Sequence, residues 1–200
     1  MRIIAGIKRG MKLFSPKTDV SRPITDRVKE SLFSVLYKYG LPQGKIVADL
    51  FSGVGSLGLE ALSRGAEFVI FVEKDPKIAA ILEKNIAKAD FAKESKIIKA
   101  NAFKIGAPVD KMQYDLVFVD PPYADTKDVG KDSSLSRLVD VLSGQLARDG
   151  IVVVRTNNHT ELLERYGQFI IMERRQWGTM AVTILKRKSN DKQAGGYKNN

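Results

Sequence analysis

Apolar and polar positions divide the chain into three stretches with different periods. At the start, Arg2-Ile3-Ile4-Ala5 and Met11-Lys12-Leu13-Phe14 are short extended runs set around Gly6 and Gly10, which predicts a hairpin or a pair of edge segments. After Arg22-Pro23, apolar residues at Val28, Leu32, Phe33, Val35, Leu36 and Tyr39 recur at helical spacing, with Thr25 or Asp26 as the cap and Gly40 and Pro42 beyond the end. From residue 45 short, solidly apolar runs alternate with helical ones. Strands are expected at residues 46–50, 68–73, 96–99, 116–120 and 151–155, with helices through Leu62 and from Pro76 towards Ala89. This repetition predicts an α/β fold with a parallel, doubly wound sheet. Residues 169–172 and 180–185 then read as two strands with no helix between them, joined by a hairpin loop at Gln176-Trp177-Gly178-Thr179. Residues 189–200 are polar and are expected to be disordered. The division expected is a basic hairpin-plus-helix extension at 1–44, a body at 45–188 and a tail.

Composition narrows the chemistry. Two hundred residues suffice for one domain with a sizeable core. There is no apolar run of about 18 residues and no signal-peptide layout, so the chain is expected neither to span a membrane nor to be secreted. The absence of cysteine excludes disulfides, thiolate metal sites and a cysteine nucleophile, including the thiolate route to methylating pyrimidine carbon 5. A single histidine, His159, argues against a histidine-rich metal site or a Ser-His-Asp triad, so no metal is expected. His159 lies in a polar stretch and reads as a loop or cap residue without catalytic duty. The net charge of +10 is uneven: residues 1–45 hold ten Lys/Arg against three Asp/Glu, residues 46–160 fifteen against sixteen, and residues 161–200 eight against four. A neutral centre with basic ends fits a catalytic body beside a surface for nucleic acid.

The central chemistry begins at a glycine turn. Gly53-Val54-Gly55-Ser56-Leu57-Gly58 is a complete G-x-G-x-x-G between a strand and a helix, and Glu73 ends the next strand, where a carboxylate can accept two ribose hydroxyls. This much fits NAD as well as S-adenosylmethionine. Asp49 discriminates, because a carboxylate four residues before the first glycine would repel a pyrophosphate, whereas a sulfonium and an ammonium would be attracted. Asn101-Ala102 follows the third strand, where Asn101 has the groups to hydrogen-bond an adenine.

Asp120-Pro121-Pro122-Tyr123 ends the fourth strand, and its two prolines make a stiff exit that cannot continue the sheet ladder. The turn would present one carboxylate, the Pro121 carbonyl and one aromatic ring. These groups suit methylation of an exocyclic amine on a nucleobase. Two acceptors can hold its N–H groups so that the lone pair turns towards a methyl donor, while Tyr123 stacks on the base.

Arg2-Ile3-Ile4-Ala5-Gly6, Arg9-Gly10, the run from Arg22 to Glu30, the run from Asp49 to Leu62 and Asp120-Pro121-Pro122-Tyr123 occur in this order. With these motifs the chain resembles the RsmD-type 16S rRNA (guanine-N2)-methyltransferases over residues 1–187. The resemblance implies a Rossmann-like class I S-adenosylmethionine-dependent fold: a seven-stranded, mostly parallel sheet closed by an antiparallel C-terminal hairpin. It implies S-adenosylmethionine bound near Asp49, Phe51, Gly53, Gly55, Glu73, Lys74, Asn101, Ala102 and Asp120, with catalysis at Asp120, Pro121 and Tyr123. It further implies a monomeric, cytoplasmic bacterial enzyme acting on 16S rRNA in a small-subunit particle. Arg2, Lys8, Arg9, Lys12, Arg22, Thr25, Arg27 and Lys29 would then contact RNA. Ile24, the polar loop at 124–134 and the tail depart from the family pattern. Trp177 reads as a packing residue before an RNA-stacking one. The alternatives are an adenine-N6 methyltransferase, an NAD-dependent oxidoreductase and a non-catalytic assembly factor.

Overall fold

The structure is a computed structural model that describes residues 1–16, 24–108 and 113–188. Helix α1 (Asp26–Tyr37) is capped by the Thr25 hydroxyl, which accepts the Val28 N–H. Alternation follows: β1 (Ile46–Leu50), α2 (Ser56–Ser63), β2 (Phe68–Glu73), α3 (Pro76–Ala89), β3 (Ser95–Lys99), the single turn α4 (Ala102–Ile105), β4 (Tyr114–Val119), α5 (Ser134–Ser143) and β5 (Leu146–Asn157). The chain then makes β6 (Arg165–Tyr166), β7 (Phe169–Trp177) and β8 (Met180–Arg187). All eight strands lie in one sheet of order β3-β2-β1-β4-β5-β8-β7-β6. The first five are mutually parallel, and β8 joins β5 antiparallel. The parallel half with an antiparallel hairpin is therefore present. The eighth strand, beyond the expected seven, is a two-residue edge strand too short to show a period. The hairpin strands also run longer than the apolar pattern indicated, leaving only Gly178 and Thr179 between β7 and β8.

Successive residues of each inner strand feed opposite faces. Val47, Phe71 and Phe118 pack with Leu32, Phe33 and Leu36 of α1 and with Leu57 and Leu82 of α2 and α3. Ala48, Val72, Val117 and Val152 pack against Leu135, Leu138 and Leu142 of α5 on the other face. Burying one such side chain contributes roughly 1.5–3 kcal/mol, so α5 is held by its apolar stripe despite following a polar loop.

Residues 1–16 share the first of these cores. Ile3 and Leu13 are buried in it, and Arg2 bridges Lys12 antiparallel, as the two extended runs predicted. The segment is strapped onto α2 and α3. The Ile4 and Ala5 N–H groups donate to the Glu60 carboxylate at 2.8 and 3.0 Å, and the Ser63 hydroxyl donates to the Ala5 carbonyl. The Asn85 carboxamide bonds both backbone groups of Phe14 and also donates to the Val54 carbonyl in the glycine turn.

Lys29 requires a correction. It was expected to contact RNA, but it is completely buried, donates to the Arg2 carbonyl at 2.8 Å and lies 3.6 Å from Glu60. Burial lowers its pKa, with Glu60 opposing that shift. Lys29 ties α1 to α2 and the strap. Its polarity in the helical pattern gave no sign of this, because Glu60 lies on another element.

Candidate active site

Strand order reverses between β1 and β4, and an open parallel sheet binds ligands in the crevice outside the carboxyl ends at such a point. Each parallel strand delivers a residue there. From β1 the chain enters the glycine turn. Phe51 at φ +60° and Gly55 at φ +88° take left-handed backbone, which is strained for the phenylalanine and free for the glycine. A Cβ at Gly58 would lie 2.2 Å from the Phe71 ring, so only glycine lets α2 sit this close to β2. Glu73 fixes the turn from β2: one oxygen accepts the Gly53 N–H at 2.9 Å and the other the Asp75 N–H at 2.8 Å. Each oxygen retains a further acceptor site.

Asp49 is 2% exposed and accepts the Gly58 N–H at 2.8 Å, in the first turn of α2. Burial pushes its carboxyl well above the usual range; the Gly58 hydrogen bond opposes this, the negative Asp120 and Glu73 reinforce it, and Arg155 counters it. Asp49 thus caps the start of α2, and a cation in the crevice would feel it through its field. Asn101 accepts the Phe103 N–H at 3.0 Å as the cap of α4, with its NH2 end left over. Ala102 is buried and Lys74 exposed. The Phe51 and Phe103 rings meet with centroids 4.7 Å apart at a 59° tilt.

Asp120 leaves β4 beside Arg155 of β5, whose guanidinium Nε donates to its carboxylate. The two side chains are 16% and 14% exposed. Burial raises the Asp120 pKa and Arg155 draws it back. Asp49, Glu73 and Asp120 therefore stand at the ends of adjacent strands, with Arg155 paired to Asp120, a field suited to a cationic ligand. Among the described residues, three buried polar atoms here have no protein hydrogen bond: Ser52 Oγ, Ser56 Oγ and Arg155 Nη1. Orphans of this kind mark a place built for something else to bind.

Pro121 is buried, and Tyr123 opens a single 3-10 turn, Tyr123–Thr126, beyond it. A cleft of about 500 Å³ lies there, lined by Tyr123, Ala124, Lys127, Val129, Asn157, His159, Thr160 and Glu161, a volume in the range of small-molecule pockets. His159 is an exposed turn residue, its N–H bonded to the Asn157 carboxamide, and it borders this cleft. Sequence reasoning did not single out Arg155, Phe103 or the cleft residues beyond Tyr123. A charged residue ending an otherwise apolar strand was the available signal for Arg155.

The expected RNA contacts are dispersed. Arg2 pairs with Asp26 at 2.7 Å, Thr25 caps α1, and Lys8 sits 5.7 Å from the Phe91 ring with its N–H on Ser63. Ser63 ends α2, whereas Ser56 begins it at the glycine turn, so the Lys8 backbone is tied to the end of α2 away from the glycine turn. Arg9, Lys12 and Arg27 are exposed, and Arg22 lies outside the described residues. Trp177 is half-buried against the core, the packing role that was favoured.

The family profile described as "Conserved hypothetical protein 95" matches residues 1–186. The ribosomal RNA small subunit methyltransferase D of Escherichia coli K12 is 30% identical over 195 residues, 94% of this chain and 91% of that protein. Its Haemophilus influenzae namesake is 41% identical over 125 residues, 62% of this chain and 64% of that one. The chain belongs to the RsmD family of methyltransferases. The solved structure of yhhF from E. coli, provisionally described as a methyltransferase, has a TM-score of 0.78 and 29% identity, covering 95% of this chain and 99% of that one.

For an RsmD-family enzyme the residues present fit a methyl donor carrying positive charge. The buried carboxylates supply the sign, Glu73 and the orphaned serine hydroxyls supply polar contacts, and no heavy atom lies within 4 Å of where a Gly53 side chain would begin. Among the described residues no helix is long and apolar enough to cross a membrane.

Proposed function

We propose that this RsmD-family methyltransferase uses S-adenosylmethionine to methylate the exocyclic N2 amine of a guanine in 16S rRNA of a small-subunit particle, in the bacterial cytoplasm. The observation that carries this reading is the pairing of Asp120, at the mouth of a carboxylate-rich crevice, with an open cleft beginning at Tyr123 that is large enough for a nucleotide. Asp49, Phe51, Gly53, Gly55, Glu73, Lys74, Asn101 and Ala102 would hold the donor. Glu73 would accept ribose hydroxyls alongside the two backbone N–H groups it already holds, and the NH2 of Asn101 would meet the adenine. A pyrophosphate in place of the sulfonium would face Asp49 and Asp120 at close range, which disfavours NAD.

Bound S-adenosylmethionine supplies an electrophilic methyl group whose bond electrons leave with a neutral thioether. The chain's part is orientation. The Asp120 carboxylate and the Pro121 carbonyl each accept one N–H of the target amine, freeing its ring-delocalised lone pair to point at the methyl carbon. Tyr123 stacks on the extruded base and the cleft walls exclude water. Proximity and alignment of this kind contribute roughly 7–11 kcal/mol in favourable cases. Neither a metal nor a thiol is required. Arg9, Lys12 and Arg27 remain exposed for RNA phosphates, while Arg2 and Lys8 offer charge already shared with protein groups.

The test is incubation of the protein and labelled S-adenosylmethionine with naked 16S rRNA, assembly intermediates and mature small subunits, followed by mass-spectrometric mapping. One N2-methylguanine in a small-subunit particle is the expected product. Methylated adenine, or no product on any particle, overturns the reading.

A further inference from the structure

Asp120 accepts an N–H from a weakly nucleophilic amine most strongly as a carboxylate; protonation turns one of its two oxygens into a donor and leaves only a weaker neutral acceptor. Its surroundings work against ionisation. It is largely buried, and Asp49 on the adjacent strand β1 couples to it with the same charge. Beyond the strand ends, Tyr123, Lys127, His159 and Glu161 border the cleft, and the two that can carry positive charge, Lys127 and His159, are exposed and screened. Among the described residues of these elements, Arg155 is the cation held against Asp120 with little exposure.

Its placement is specific. The parallel register that pairs Val119 with Val154 brings Asp120 and Arg155 side by side. Nε donates to the carboxylate, while Nη1 is buried without any protein partner. A guanidinium spends several donors in a fixed plane, so a buried, unused one beside the reacting position is an invitation to an acceptor on the ligand.

We propose that Arg155 is a positioning residue of the methylation site: through Nε it fixes Asp120 in the ionised, amine-accepting form, and through Nη1 it offers a hydrogen bond to a ring acceptor of the docked base. The proposal rests on the reading of Asp120 as the amine acceptor. It separates Arg155 from the donor-binding residues. Because Arg155 pairs with Asp120 and bonds none of the glycine-turn residues, its loss should change kcat far more than the affinity for S-adenosylmethionine.

The test compares wild type with Arg155→Gln and Arg155→Lys. Three measurements are made: calorimetric binding of S-adenosylmethionine, the pH profile of kcat on the small-subunit particle, and carbon-13 NMR titration of the Asp120 carboxyl, assigned with Asp120→Asn. In Arg155→Gln the Asp120 carboxyl should become about tenfold or more weaker as an acid. Its kcat should fall most steeply at low pH, with donor affinity changed far less. Arg155→Lys keeps the charge and loses the planar fork, so Asp120 should titrate near its wild-type midpoint while kcat stays below wild type. An unchanged Asp120 titration in Arg155→Gln, or a kcat loss uniform across pH, overturns the proposal. If Arg155→Gln does not fold, Arg155→Lys with wild-type kcat overturns it. Failure of the functional reading looks different: wild type itself then transfers no methyl group, while the NMR titrations still report whether Arg155 governs Asp120.

Discussion

Two buried charge clusters stand on the same side of this chain's history of burial, yet they are built to opposite ends. At the strap, Glu60 is completely enclosed, receives two backbone N–H groups, pairs with Arg64 at 2.8 Å and has Lys29 at 3.6 Å. At the crevice, among the described residues, Arg155 pairs with Asp120 alone while Asp49 and Glu73 have no cation bonded to them, and Ser52 Oγ, Ser56 Oγ and Arg155 Nη1 have no partner. The first cluster closes its own hydrogen bonds and holds the first residues of the chain onto α2. The second leaves charge and hydrogen bonds open, which costs stability in the free protein and is offset when a cation binds. Composition does not separate them; the difference is whether the partners are supplied by the protein.

The largest expected effect falls on the closed cluster. Glu60→Ala strands a buried Lys29 and two N–H groups, and breaking a buried pair costs about 3–5 kcal/mol. The melting temperature should drop by about 2–4 °C per kcal/mol for a chain of this size, and residues 1–16 should become protease-sensitive. Donor affinity at a permissive temperature should persist. A melt equal to wild type would mean that the strap does not depend on Glu60.

Next comes Asp120→Ala. Losing one preorganised hydrogen-bond partner of the reacting group should lower kcat by about 10²–10³-fold, with particle binding retained. Residual activity within twofold of wild type would remove Asp120 from the chemistry.

Asp49→Asn should separate stability from function. The raised pKa of Asp49 means that its contribution to folding is complete below the ordinary carboxylate range and is lost as pH rises through its folded value. Asparagine still accepts the Gly58 N–H and has no proton to lose. Without cofactor, the variant should therefore melt at or above wild type near neutral pH, with a flatter pH dependence. Its affinity for S-adenosylmethionine should fall by about tenfold, or 1.4 kcal/mol. A melt below wild type at neutral pH would contradict the account of the crevice.

The smallest effect is expected at the exposed charges. Arg9→Ala and Arg27→Ala should each leave the melt and kcat untouched and reduce the salt slope of binding to single-stranded RNA by about 0.7. An unchanged slope would place the phosphate contacts elsewhere.

Much of this was legible beforehand where the signal is local. The βα alternation, the glycine turn and Asp120-Pro121-Pro122-Tyr123 were found because strand periodicity and turn chemistry are written in consecutive residues. The Thr25 cap and the α3 helix fell where their capping and apolar patterns put them. Helix α5 was not singled out, although Leu135, Leu138, Val139 and Leu142 carry a helical stripe; it hid behind the polar loop that precedes it. Lys29 was misassigned and Arg155 was missed for a common reason. Each takes its role from a carboxylate more than thirty residues away in sequence, Glu60 and Asp120 respectively.

The sequence by itself determined most of the elements, the sheet class, the lack of cysteine chemistry and the motifs that lie at the carboxyl edge, because each depends on a few neighbouring residues. Only the tertiary structure decided which charges are rivets and which are reactive. Burial and pairing set the protonation and availability of a side chain, and both are properties of the neighbours that folding brings to it.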